Sequence, residues 1–247
     1  GAGLLLQPAG LAVFEYLGVL DQALKLGAKV TGLEGQLANN RLLVNSHYHQ
    51  AGNNLYGLGI HRSTLCHILT QKLAEYSSHV TWRMNHHIER IEEQSHEIRL
   101  FGTDQQHNFD DCFDAVLIAN GARSQLRPKA WVKVDQAYLW GAAWSIVPEC
   151  LNLNPEILHQ FYDRSKIMMG VLPTGAIPST PQQRLSSVFW SLPTSQLQSF
   201  LKDESAKQQW LKQVSDRWSD VAEWLEQLLL DEHNQPQWLS AQYRDVV

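Results

Sequence analysis

Two short segments carry residue types that can hold an anionic or carbonyl-rich ligand. The first is Gly57-Leu58-Gly59-Ile60-His61-Arg62-Ser63-Thr64-Leu65, which reads as a strand entering a helix with an arginine at the junction. A guanidinium placed there can grip phosphate or carbonyl oxygens, and the free N–H groups of a first helical turn add to the hold. An ordinary capped helix bearing a surface arginine accounts for the same letters. The second segment is Val116-Leu117-Ile118-Ala119-Asn120-Gly121-Ala122-Arg123-Ser124-Gln125-Leu126-Arg127. Its apolar lead, Asp114–Ala119, predicts a strand covered on both faces, as in a parallel sheet. Glycine at the carboxyl end of such a strand lets a ligand's phosphates approach the backbone, at the edge where open α/β sheets bind. A plain Asn-Gly turn is the alternative.

Trp140, Ala142 and Trp144 alternate along one expected strand, so both indoles face one side. They suit the wall of an aromatic substrate pocket, or simply the core of a sheet. His47 and His49 share a strand face and His86-His87 are adjacent, yet no metal-ligand spacing such as HExxH accompanies them, so no metal is expected. The cysteines, Cys66, Cys112 and Cys150, are odd in number and far apart, with no CxxC. A reducing, cytoplasmic compartment is the simplest home for them, and Cys66 reads as a small buried apolar residue of a helix. No serine sits in a G-x-S-x-G elbow, which removes the usual hydrolase signal.

These residues need elements to place them. Pro8 suits the first turn of a helix, and Val13, Leu17, Leu20 and Leu24 form a stripe that Gly27 would end. The preceding Gly1–Leu6 run is expected to lead straight into that helix. Arg41–His49 reads as a strand and Gly52-Asn53-Asn54 as a turn. A second helix follows with Leu65, Leu69, Leu73 and Tyr76 on one face. Short strands are expected at Val80–Met84, Ile88–Glu92 and Glu97–Phe101, then at Tyr138–Val147, Lys166–Leu172 and Leu185–Ser191. Trp210, Val214, Trp218, Val221, Leu225 and Leu228 recur at helical spacing, which is the pattern of core packing.

Composition narrows the class. The 247 residues carry 20 Lys+Arg against 25 Asp+Glu, a formal charge of −5 with no basic block, so nucleic acid has no electrostatic footprint as a partner. With 44% hydrophobic and 18% charged residues the chain reads as globular, and no apolar run is long enough for an integral membrane segment. The expected partner is a small-molecule substrate.

Three stretches in order suggest a family. Gly3-Leu4-Leu5-Leu6-Gln7-Pro8-Ala9-Gly10-Leu11 with Leu17-Gly18-Val19-Leu20 resembles its G-I-x-L-Q-P-N-G-L…L-G-L-L segment. Gly59-Ile60-His61-Arg62-Ser63-Thr64-Leu65 resembles its I-x-R-x-x-L helix start, and Asn120-Gly121-Ala122-Arg123-Ser124-Gln125-Leu126-Arg127 its D-G-x-x-S-x-x-R motif. The family is that of the class A FAD-dependent monooxygenases of the para-hydroxybenzoate hydroxylase type. The similarity covers residues 1–127 well and is diffuse beyond. There Trp140-Gly141-Ala142-Ala143-Trp144 and Gly170-Val171-Leu172-Pro173-Thr174-Gly175 look like strands of the family's substrate-covering sheet.

The resemblance implies an α/β fold: an incomplete Rossmann-like FAD-binding domain over residues 1–127, with a mixed or antiparallel α+β substrate domain over 128–247. Arg41–Leu55 would contribute to the substrate sheet. It implies that Arg62 lies against the flavin or its pyrophosphate, that Asn120 and Gly121 lie near the pyrophosphate and the nicotinamide approach, and that Gln7 lies near the flavin ring. The implied activity is oxygenation of a small organic substrate, aromatic ones included, by O2, with NAD(P)H reducing FAD and no side chain needed as a nucleophile. A flavin dehydrogenase or halogenase on the same scaffold, or a non-catalytic binding remnant, remains open. Two departures matter. Asn120 stands where the motif carries Asp, which keeps an acceptor but loses the charge. The family's GxGxxG and later Gly-Asp motifs are not in the sequence, so the chain is expected to be an internal fragment that holds flavin only weakly.

Overall fold

The computed structural model describes residues 2–105, 107–164, 167–231 and 236–247. Its contacts divide the chain into two compact units, Gly1–Glu75 with Leu139–Gln242, and Tyr76–Tyr138 with Tyr243–Val247. These units cut across the expected boundary at residue 127.

The first unit begins with β1 (Gly3–Leu6), where a direct run into helix was expected. Helix α1 (Pro8–Tyr16) has Pro8 at its first position, as its missing N–H allows. The chain then breaks at Gly18, whose φ of +70° only glycine adopts without strain, and resumes as α2 (Leu20–Leu26). That break rotates the buried face away from the expected stripe. Leu11, Phe14, Val19 and Ala23 are buried, whereas Val13 is 53% exposed. β2 (Ala28–Val30) and β5 (Gly57–His61) join β1 in a three-stranded sheet of order β1-β5-β2. Helix α3 (Arg62–Ala74) leaves β5 directly and buries Thr64 and Ile68. The expected stripe is again displaced, because Tyr76 lies beyond the helix end and Leu69 faces out. Cys66 is exposed rather than buried for the same reason, and the buried cysteine is Cys150.

A larger sheet has the order β13-β9-β12-β11-β10-β3-β4. Its strands are β3 (Gly32–Leu37), β4 (Leu42–His47), β9 (Asp135–Pro148), β10 (Ile157–Asp163), β11 (Ile167–Ile177), β12 (Thr180–Pro193) and β13 (Leu239–Val246). Leu42–His47 therefore pairs within this sheet. β3 and β10 are parallel, and β9, β12, β11 and β10 run antiparallel to one another in turn.

Register assigns the faces. Ala143, Val147, Phe161, Met169, Val188 and Trp190 pack into one core with α4 (Leu197–Lys202), α5 (Glu204–Ser215) and α6 (Ser219–Leu230). All six residues of the expected Trp210–Leu228 stripe are buried there, although the chain turns between α5 and α6 at Asp216–Trp218. Trp210 packs edge-on against Trp190, Phe200 and Trp238, with ring centroids 6.0, 5.7 and 5.0 Å away. Trp140 and Trp144 are one residue out of phase with Ala143 and Val147, so they occupy the opposite face. They are not part of the helix-covered core.

The second unit holds a three-stranded antiparallel sheet, β6 (His87–Glu93), β7 (Ile98–Thr103) and β8 (Asn108–Phe113). Val80–Met84 is not a strand; it runs into a turn whose Asn85 has φ +60°. Asp114–Ala119, expected as a buried parallel strand, is extended chain without a ladder, and Leu117 is 94% exposed. A run of this kind becomes a buried strand only with neighbours on both edges and layers on both faces. No strand among the described residues pairs with it. The result is a mixed α+β arrangement of several sheets.

The two sheets of the first unit meet backbone to backbone. A Cβ on Gly59 would lie 1.8 Å from the Pro173 carbonyl oxygen, whereas one on Gly10 would meet nothing closer than 3.9 Å. The same substitution should therefore have opposite signs. Gly59→Ala should destabilise by more than about 3 kcal/mol or prevent folding, since neither backbone can yield. Gly10→Ala, inside α1, should stabilise by about 0.5–1 kcal/mol. Urea unfolding of the two variants measures both.

Candidate functional site

Arg62 is the first residue of α3 and is exposed. Its guanidinium makes no hydrogen bond or ion pair among the described residues, so it is available to a ligand. The helix start around it is not the open anion site the sequence suggests. The Arg62 N–H donates to the Ala2 carbonyl (2.9 Å), and the Ser63 N–H donates to His61 Nδ1 (3.2 Å). The hold on an anion thus falls to the side chain. His61 is a buried N-cap whose Nδ1 also lies 2.6 Å from Ser63 Oγ. An acceptor role for Nδ1 leaves the proton on Nε2, and burial pushes the imidazole below its ordinary value.

Gln7 sits at the other end of the same strand pair. Gly3 faces His61 and Leu6 faces Leu58, so Gln7 follows β1 beside Gly57 while Arg62 follows β5 beside Ala2. At about 3.4 Å per residue the two positions are roughly 17 Å apart, and only an elongated ligand can touch both. The structure therefore does not gather Gln7 and Arg62 into one compact pocket. Gln7 is exposed, and its Oε1 accepts a hydrogen bond of 2.7 Å from the Tyr48 hydroxyl.

Trp140 is 39% exposed and Trp144 is partly buried, both on the sheet face turned away from the helices. Trp144 is the register partner of Phe189, whose ring lies over Gly170; a Cβ there would come within 2.0 Å of it. Further along this face, the Tyr162 ring lies over Gly35 and its hydroxyl donates to Gln160 Oε1. Four aromatic rings and the Gln160 amide thus share this face with aliphatic and serine side chains such as Ile146, Met168 and Ser187. Phe189, Tyr162 and Gln160 escape sequence reading because only the register places them beside Trp144.

Asn120 and Gly121 belong to the second unit, at an exposed bend where Gly121 has φ +88° and open space above its Cα. A ligand can approach that backbone closely. The Ser124 N–H donates to the Gly121 carbonyl (3.1 Å), and Ser124 Oγ accepts from the Leu126 N–H (3.2 Å), which folds the segment back on itself. Beside it lies a cavity of about 820 Å3, lined by Arg123, Arg127, Lys129 and Arg244 together with Ser124 and Asp135. Asp135 is hydrogen-bonded by Arg244, and that bond, with the charges of Arg244 and Arg127, holds its carboxyl below the usual range. Four cations against one carboxylate leave the cavity electropositive in a chain whose formal charge is −5. The sequence showed these cations individually; only Arg244, more than a hundred residues away, needed the fold to join them.

Three solved structures show what arrangement this is similar to. The p-nitrophenol 4-monooxygenase PnpA of Pseudomonas putida DLL-E4 aligns with a TM-score of 0.71 at 15% identity, over 98% of this chain and 57% of its own. PqsL of Pseudomonas aeruginosa, described as a probable FAD-dependent monooxygenase, aligns at 0.70 and 17%, over 98% and 63%. The tetrameric form of 2-methyl-3-hydroxypyridine-5-carboxylic acid oxygenase aligns at 0.67 and 17%, over 100% and 61%. The chain shares their fold. It spans less than two thirds of the length of each. No protein-family model and no curated protein matches the sequence. Among the described residues no helix is long and apolar enough to cross a membrane, and no group of His, Cys, Asp or Glu could hold a metal.

Burial of His61 and His159 makes stability depend on pH. Burial is the leading cause that lowers both imidazoles from the ordinary value of 6.5. Between that value and the lower folded one, the unfolded chain binds the proton and the folded chain does not, so stability is full above about 6.5 and falls as pH drops below it. His61→Asn keeps a capping acceptor without titrating. Thermal melts between pH 7.5 and 5.0 should show a shallower fall for His61→Asn than for the wild type, and a shallower one still when His159→Gln is added.

Proposed function

We propose that this chain is the greater part of a flavin-dependent monooxygenase, and that it carries contacts to FAD from Arg62, Gln7, Asn120 and Gly121. The observation that supports this best is the set of three ordered sequence motifs falling on a fold shared with solved oxygenases. Two local features suit FAD. Gly121 offers an unobstructed backbone beside an electropositive cavity. Arg62 offers an unengaged guanidinium, the group best shaped for phosphate oxygens. The span between Gln7 and Arg62 asks for an extended ligand, as a dinucleotide is.

FAD, when bound, would supply the redox and oxygen-activating chemistry. The reaction balances as substrate–H + O2 + NAD(P)H + H+ giving substrate–OH + H2O + NAD(P)+. The chain's own residues bind, orient and exclude water. Arg62 would hold an anionic or carbonyl part of the cofactor, and Asn120–Gly121 its pyrophosphate. Arg123, Arg127, Lys129 and Arg244 give the second unit an electrostatic reason to attract an anionic cosubstrate such as NAD(P)H. The aromatic face that carries Trp140 and Trp144 suits a planar organic substrate by stacking. The Rossmann-like character expected for residues 1–127 belongs to this reading too.

A second reading, a binding protein that has lost turnover, draws on Asn120. An amide there keeps hydrogen bonds to a ligand while removing a negative charge. The product separates the readings: oxygenation adds one oxygen atom to the substrate, a dehydrogenase adds none, and a binding protein turns nothing over.

FAD titrated against the purified chain, followed by quenching of its fluorescence, should show weak saturable binding. Arg62→Ala should weaken it by about 10–100-fold, the loss of one charge-assisted contact of about 1.5–3 kcal/mol. Absence of any saturable signal at millimolar FAD, in a chain shown to be folded, would remove the flavin reading.

A further inference from the structure

Tyr48 has no place in the motifs, yet several features of the first unit converge on its hydroxyl. Tyr48 begins a single 3-10 turn, Tyr48–Gln50, just after β4. Its backbone N–H donates to the Thr31 carbonyl (3.0 Å), and the turn is closed by Gln50, whose Oε1 accepts from the His47 N–H (2.9 Å). The aromatic arm is thus anchored at its base. It reaches over Gly57, where a Cβ would lie 2.6 Å from the Tyr48 oxygen, 3.1 Å from Cζ and 2.9 Å from Leu5 Cδ1. Any side chain at residue 57 would displace the phenol. The absence of one lets the hydroxyl reach Gln7 Oε1 at 2.7 Å.

Gln7 is an unusual residue for the position it occupies. It is the N-cap of α1, where Ser, Thr, Asp and Asn are preferred because their short side chains satisfy free N–H groups. Gln7 makes no such cap bond, and its exposed amide faces away from the helix it begins. An unrestrained glutamine amide is ambiguous: rotation exchanges its acceptor oxygen for its donor nitrogen. The Tyr48 hydroxyl ties the amide down by donating to its oxygen, and in that orientation the two Nε2 hydrogens are what Gln7 presents outward. Burial pushes the phenol above its ordinary value, so the hydroxyl keeps its proton across the neutral range.

We infer that Tyr48 is a positioning residue that fixes Gln7 as a hydrogen-bond donor, and that the ligand group Gln7 meets is an acceptor edge such as a ring carbonyl or ring nitrogen of the flavin. This rests on the flavin reading above for the identity of the ligand. The restraint on the amide rests on the Tyr48–Gln7 contact alone.

The test has two parts, both on the full chain. In the absence of flavin, the side-chain amide signals of Gln7, assigned in a 15N spectrum by their loss in Gln7→Leu, should report a restrained group. In Tyr48→Phe they should become mobile and averaged. With FAD titrated in, Tyr48→Phe should weaken binding about fivefold, the size of one neutral hydrogen bond of about 1 kcal/mol. It should also shift the visible absorption band of the bound flavin, which a merely structural role would leave in place. In a Gln7→Leu background Tyr48→Phe should add nothing, because the two act as a unit. Gln7→Glu, a surface change that leaves the fold intact even if Tyr48→Phe does not, converts the donor into an acceptor and should weaken FAD by more than fivefold. If Tyr48→Phe or Gln7→Glu binds FAD as tightly as the wild type, with an unchanged spectrum, the inference is overturned while the flavin reading stands. A wild-type chain that restrains Gln7 but binds no FAD would instead overturn the flavin reading, and the ligand assigned to Gln7 with it.

Discussion

The architecture depends on a place where two backbones touch. Gly59 in the small sheet lies directly against the Pro173 carbonyl in the large one, and Gly175, at φ +70°, comes as close to the Leu26 carbonyl and Gly27. Ordinary side chains at these points would hold the sheets apart by the thickness of a packed layer, about 10 Å between backbones. With glycines the sheets lock by contact and by a hydrogen bond from the Gly3 N–H to Ser187 Oγ (3.4 Å), and α3 adds one from Thr64 Oγ1 to the Ala176 carbonyl (3.1 Å). The position of the β1–β5 pair is fixed by that contact. So are its two ends, where Gln7 and Arg62 sit.

From this constraint the division of labour in the first unit follows. One face of the large sheet is filled by α4–α6 and a cluster of tryptophans, and its burial supplies stability through apolar area. Three indole N–H groups in or beside that cluster, on Trp210, Trp218 and Trp238, are buried without a hydrogen-bond partner among the described residues. These rings therefore act as bulk rather than as polar contacts. The other face carries aromatic side chains that are only partly covered, Trp140, Trp144 and Phe189, the last with its ring over Gly170. The small sheet packs on this second face at Leu172 and Ser187, and the aromatic strip beside it is left partly open. The alternation of faces explains why residues adjacent in sequence, Ala143 and Trp144, have unrelated roles.

Sequence reading succeeded where a feature is local and periodic. The Trp210–Leu228 repeat, Pro8 at a helix start and the strands around residues 140 and 188 are all of that kind, since period and proline chemistry need no partner. It failed where a neighbour decides. Asp114–Ala119 has the letters of a buried strand, but a parallel strand exists only through the strands beside it. The stripe from Val13 to Leu24 was displaced by one glycine at residue 18, which resets the helical phase. β10 was missed because its pairing partner on one side is β3, more than a hundred residues earlier, and the cover over Phe161 comes from helices that follow it. In the candidate site, Arg62 and Asn120–Gly121 were legible as motif letters, whereas the Tyr48–Gln7 bond joins residues 41 apart across a glycine gap that no pattern marks.

Amide hydrogen exchange, resolved by segment in the presence and absence of saturating FAD, tests most directly whether this chain bears part of a flavin site. The account predicts slower exchange in Gln7–Leu11, in Arg62–Leu65 and in Gly121–Arg127, with no change in α6 behind the tryptophan core. Identical exchange in all three segments, or protection confined to surfaces far from them in the sequence, would contradict it.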